Sequence, residues 1–158
     1  MFDSLAGQLA HLDVLWRVAL ALLLGGLVGA EREIAAKPAG LRTHMLVSAA
    51  AALLVGLSEI LVSQLSNDVP AAFVRTDPIR VLEAVITGVS FLGAGTIIRQ
   101  RKEGMVSGLT TAASLLLTAA IGVAVALNAV LLAVGATLLA VATLRLVRYF
   151  EKRLRAEG

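Results

Sequence analysis

Glu59, Asp77 and Glu83 are the carboxylates best suited to hold an ion in this chain. Asp77, Arg80 and Glu83 succeed one another at i, i+3, i+6, and Arg17 stands one turn past Asp13. Two carboxylates with hydroxyls nearby suit a hydrated Mg²⁺, which keeps several waters and takes only one or two carboxylates; they could equally relay a proton. The plainer alternative is a set of structural ion pairs, Asp13–Arg17 with Asp77–Arg80 or Arg80–Glu83, after which Glu59 and one other carboxylate remain. Hydroxyls form two stripes. Glu83, Thr87 and Ser90 share one helical face at i, i+4, i+7, and Ser107, Thr111, Ser114 and Thr118 form a longer row continuing to Gly122. Such rows are either a polar path or packing faces, where hydroxyls bond back to carbonyls one turn earlier and small residues allow helices to approach. The packing reading leads.

A third polar group, EREIAAKPAGLRTH at 31–44, lies between apolar blocks. Glu31, Arg32, Arg42, Thr43 and His44 read as the ends of two helices, tied together through Glu31, Arg32 and Arg42 across a turn at Pro38 and Gly40. Glu33 can pair with Arg32 or Arg42. His44 reads as an interfacial residue, with pH sensing as the alternative. Enzyme chemistry has little to stand on. There is no cysteine, G-x-S-x-G, P-loop or H-E-x-x-H, and His11 and His44 are the two histidines of the whole chain. Gly93 and Gly95 follow no strand and lack the third glycine of a dinucleotide turn. Together with Gly88, and with the GxxxG of Gly25 and Gly29, they are read as sites of close helix contact, within a chain or between copies.

The elements that must position these residues are membrane helices. The 158 residues are 58% hydrophobic with a mean hydropathy of +0.88, in long blocks without the period-2 alternation of a β-barrel. Five spans are expected, at about 14–30, 45–63, 81–98, 106–125 and 127–147, each near the roughly 20 residues that cross a bilayer. The last two are divided only at Leu127 and Asn128, but a single helix there would be about 60 Å long. Residues 2–12 read as an interfacial amphipathic stretch without the basic region of a signal peptide, 64–76 as a short outer loop, and 148–158 as a short basic tail. All but Arg17, Arg75 and Arg80 of the 14 Lys and Arg residues fall on one side. That side is expected to be cytoplasmic, with the N-terminus outside. The net charge of +3 is thus a topology signal and a patch for anionic lipids rather than a nucleic-acid surface. The expected fold is one all-α, five-helix transmembrane domain over 1–158. No inverted repeat is evident, and Gly-rich faces suggest a homodimer.

GLVGAEREIAAKPAGLRTHMLV at 26–47 and DPIRVLEAVITGVSFLGAGTIIRQRKEGMVSGLTTAASLLLTAAIGVAVAL at 77–127 resemble the two signatures of the MgtC/SapB family of bacterial membrane proteins. The resemblance implies a non-enzymatic protein of the bacterial inner membrane with about five spans. It further implies roles in growth at low magnesium or under acid stress, in virulence within macrophages, and in regulating another membrane complex such as the rotary ATP synthase. The alternative is a transporter or channel for Mg²⁺ or protons, with Glu59, Asp77 and Glu83 on its path. No cofactor is expected, Mg²⁺ apart. Many members carry an ACT-like C-terminal domain, which is not expected after YFEKRLRAEG here, and have Trp where this chain has Leu116.

Overall fold

A computed structural model describes residues 2–68, 78–99 and 107–156. They form α1 (Phe2–Ile34), α2 (Leu41–Asp68), α3 (Pro78–Arg99), α4 (Leu109–Ala126) and α5 (Val130–Ala156), with no strand among the described residues. Each contains a segment long and apolar enough to cross a membrane. The helices overrun the expected spans at most ends, because a helix that leaves the hydrocarbon keeps its internal hydrogen bonds. α1 is unbroken from Phe2, so residues 2–12 extend it instead of forming a separate stretch, and α5 carries the expected tail as helix to Ala156. Asp77, its pairing with Arg80 and the outer loop around Pro70 lie outside the described residues.

Two turns show why the chain reverses where it does. At the end of α1, the Ala36 amide donates to the Glu33 carbonyl and the Lys37 amide to that of Arg32. This is a Schellman closure, and it holds Ala36 at φ 52°. Pro38 follows and forbids continuation. At the end of α4 the same pattern recurs, Asn128 to Val125 and Ala129 to Ala124. Here the left-handed position (φ 58°) is taken by Asn128, a residue that tolerates it. The weak break expected at Leu127 and Asn128 is therefore a true hairpin corner.

α4 is the central helix, touching all four others, while α2 and α5 flank α1 and α2 also touches α3. α3 and α5 do not meet among the described residues, which leaves one flank of α4 open. In lipid no hydrophobic force drives helices together, so backbone closeness and dispersion must. Glycine supplies that closeness. A methyl on Gly25 would lie 2.6 Å from the His44 carbonyl oxygen, and one on Gly29 would lie 2.8 Å from Leu41 Cα. One on Gly122 would overlap the Ser48 carbonyl oxygen. The GxxxG of α1 thus seats α2, and the end of the α4 hydroxyl row seats α2 on its other side. Gly93 packs on Ala112, whereas Gly88 and Gly95 face open space within the single chain. Small apolar residues fill the rest: Ala21, Val28, Ala52, Ile121 and Ala133 between α1, α2, α4 and α5, and Val47, Val85, Leu115 and Ala119 between α2, α3 and α4.

Candidate functional site

The bundle has a polar cluster at each end. At the end where α4 turns into α5, Arg17 draws three helices together. Its guanidinium pairs with Asp13 one turn earlier, with Glu59 of α2 at 2.9 Å, and donates to the Ala126 carbonyl at 2.6 Å. Ala126 is the last residue of α4, so its carbonyl lacks an intrahelical partner and lies at the negative end of the helix dipole. The expected Asp13–Arg17 pair is present. Glu59, expected to be left over for an ion, is answered by the same arginine. It borders a largely apolar cavity of about 590 Å³ with Val55, Leu82 and Leu127. Glu83 lines a different cavity, of about 770 Å³, with Arg80, Ala84, Thr87 and Gly88 on the outer face of α3. Glu59 and Glu83 are therefore not brought together, and no cluster of three His, Cys, Asp or Glu side chains occurs among the described residues.

The hydroxyl rows separate. On α4, Thr111, Ser114 and Thr118 are buried and face inward, and Ser107 is exposed. Ser114 Oγ donates to the Thr111 carbonyl and Thr118 Oγ1 to the Ser114 carbonyl, both at 2.8 Å, the back-bonding expected of packing faces. On α3, Thr87 and Ser90 are exposed with Glu83, so that row looks out of the bundle.

The more organised site is at the opposite end, within the segment expected to be a surface connector. Glu31, Arg32 and His44 are buried, at 1%, 3% and 0% exposure. Arg32 Nε donates to Glu31 Oε2 at 2.8 Å, and Arg148 of α5 brings Nη1 within 3.5 Å of Glu31 Oε1. Removing one partner of a buried ion pair costs about 3–5 kcal/mol because the other charge is stranded. His44 is not interfacial. Its Nδ1 lies 2.9 Å from the Gly40 carbonyl, so that nitrogen carries the proton and Nε2 is an acceptor; Nε2 lies 3.1 Å from Ser114 Oγ, whose one proton alternates between it and the Thr111 carbonyl. The imidazole thus links the start of α2 to the α4 hydroxyl row. Arg42 and Thr43 are exposed and do not tie helix ends as expected; Arg148 performs that role for Glu31. Glu33 accepts from the Leu41 amide at 2.9 Å, capping α2 from eight residues away. Gly40 makes room, since a methyl there would collide with the Glu33 carboxylate. Sequence reasoning missed Arg148, although Arg145, Arg148 and Tyr149 at i, i+3, i+4 share one helical face.

Five apolar helices packed through glycines define a multi-pass α-helical membrane protein. The family model described as "MgtC family" matches residues 18–153, and the chain belongs to that family. It is 44% identical over 104 residues to Protein MgtC of Brucella abortus, an alignment covering 65% of this chain and 38% of that protein. It is 42% identical over 108 residues to the Putative magnesium transporter YhiD of Escherichia coli K12, covering 68% of this chain and 47% of the other. Against Protein SapB of Bacillus subtilis it is 34% identical over 113 residues, covering 71% and 47%. The chain spans about half the length, or less, of these relatives. No solved structure matches it.

Proposed function

We propose that this is a non-enzymatic inner-membrane protein that acts by docking against another membrane complex, with the end bearing Arg32, Arg42 and Arg148 in the cytoplasm. The observation that carries this reading is the outward polar face of α3. Arg80, Glu83, Thr87 and Gly88 border an open cavity on the outside of the bundle. Polar groups exposed to lipid tails are costly, and small residues beside them admit a second helix closely. The occupant is a transmembrane helix of another protein. The family resemblance makes the membrane sector of the rotary ATP synthase the first candidate, and adaptation to low Mg²⁺ or acid stress the physiological setting. Transport of a small cation is the weaker reading, because Glu59 is tied to Arg17 and Glu83 lines a separate cavity.

A photo-crosslinking residue at Thr87, in cells expressing the protein at native level, tests the docking. Crosslinks to ATP-synthase membrane subunits support it. Crosslinks only to a second copy would make α3 a homodimer face, and Mg²⁺ flux through purified protein in liposomes would favour transport instead.

A further inference from the structure

The described part of the chain holds a second cavity bordered by charge that the proposed docking role does not use. It lies between α1 and α5 and measures about 380 Å³, lined by Glu31, Ile34, Arg145, Arg148 and Tyr149. Its depth can be placed. Arg148 is 18 positions past Val130, where α5 begins, so it stands about 27 Å along the helix, close to the full thickness of the hydrocarbon. Tyr149 beside it is the kind of aromatic found at the interface. The cavity therefore opens at the level of the lipid headgroups, whichever leaflet that end occupies.

Its charge is uneven. Glu31 is already matched by Arg32 through the 2.8 Å bond to Oε2. Arg145 and Arg148 add two further positive charges at the wall, which leaves room for an anion. Guanidinium groups bind phosphate oxygens through paired N–H donors. The second feature is an unmet acceptor. Glu31 is 1% exposed, yet its Oε1 has no hydrogen-bond partner; Arg148 approaches only to 3.5 Å. A buried carboxylate oxygen without a donor is uncommon and calls for one. A ligand that fits both features carries a phosphate and, close to it, a hydroxyl or ammonium.

We propose that this cavity binds a phosphate group with a neighbouring hydrogen-bond donor, supplied by the headgroup of a glycerophospholipid such as phosphatidylglycerol. Arg145 and Arg148 hold the phosphate, and Glu31 Oε1 accepts from the headgroup hydroxyl. Soluble hydrogen phosphate carries the same chemistry, and the test separates the two sources. Phosphatidylcholine has the phosphate but no donor.

Native mass spectrometry of the intact protein in non-ionic detergent reads the binding directly, with phosphatidylglycerol, phosphatidylcholine and inorganic phosphate as separate probes. Phosphatidylglycerol is expected to be retained about tenfold more than phosphatidylcholine, and the Arg145→Gln, Arg148→Gln double variant to lower that retention about tenfold or more, as loss of charge-assisted bonds predicts. Both arginines are at least partly solvent-exposed; because Arg148 also reaches the buried Glu31, the single variant Arg145→Gln, which leaves that contact in place, is expected to lower retention as well. Arg42→Gln, an exposed arginine outside the cavity, is expected to change nothing. Saturable binding of inorganic phosphate with the same dependence on the variants, and none of the lipid, would assign the site to the soluble anion. Equal retention of both lipids, loss on Arg42→Gln as large as on the double variant, or no binding of either phosphate source would overturn the proposal.

Discussion

Replacing Glu31 by glutamine keeps the side-chain volume and removes one charge from the buried pair. Arg32 is 3% exposed, and its Nε is bonded to the very oxygen that loses its charge. Its Nη1 already lacks a hydrogen-bond partner, so the guanidinium is short of acceptors before the substitution. The expected loss is about 3–5 kcal/mol, the range measured when one member of a buried ion pair is removed. Thermodynamic coupling identifies the cause. The double variant Glu31→Gln, Arg32→Met removes the stranded charge and should recover at least about 2 kcal/mol of that loss, since buried pairs exchanged together for neutral residues are often tolerated. The assay is unfolding of the detergent-solubilised protein by increasing SDS fraction, followed by far-ultraviolet circular dichroism. A loss under about 1 kcal/mol for Glu31→Gln, or additive losses in the double variant, would refute the claim that the pair is buried and coupled.

Further expectations use the same assay. Ala36→Gly should stabilise the protein by roughly 0.5–1 kcal/mol, because Ala36 sits at positive φ, where an L side chain is strained and glycine is not. Gly122→Ala should cost roughly 3 kcal/mol, the upper part of the overpacking range, since the colliding atom belongs to the Ser48 backbone and cannot rotate away. Ser114→Ala should cost about 1–3 kcal/mol by leaving His44 Nε2 buried without its partner.

The helical architecture was legible because long apolar blocks admit few structures in lipid. Five helices, the corner at Asn128 and the Asp13–Arg17 pair all follow from spacing and residue type. The α4 row of Thr111, Ser114 and Thr118 was also readable as a packing face, since small residues at helical spacing define one. What could not be read was which charged residues near a helix end turn inward. Glu31 and Glu33 are two positions apart and look equivalent in sequence, yet one is buried in an ion pair and the other caps Leu41 from the surface. The difference arises from the Schellman turn at Ala36 and from α5 arriving 117 positions later with Arg148, as shown by the Arg148–Glu31 contact. The partner of Glu59 was hidden for the same reason. It comes from α1, 42 positions away, and shares its guanidinium with the end of α4. Residue type and spacing identify candidates for chemistry; only tertiary contact decides which of them are already neutralised.

Docking of the α3 face on the ATP synthase, as proposed above, would change what that complex does. ATP-driven proton pumping in inverted membrane vesicles, with and without the protein, tests it most directly. The wild-type protein is expected to lower pumping, and Thr87→Trp, which fills the exposed face of α3, to restore it. Unchanged pumping with wild-type protein, together with Mg²⁺ flux through the purified protein in liposomes, would contradict it.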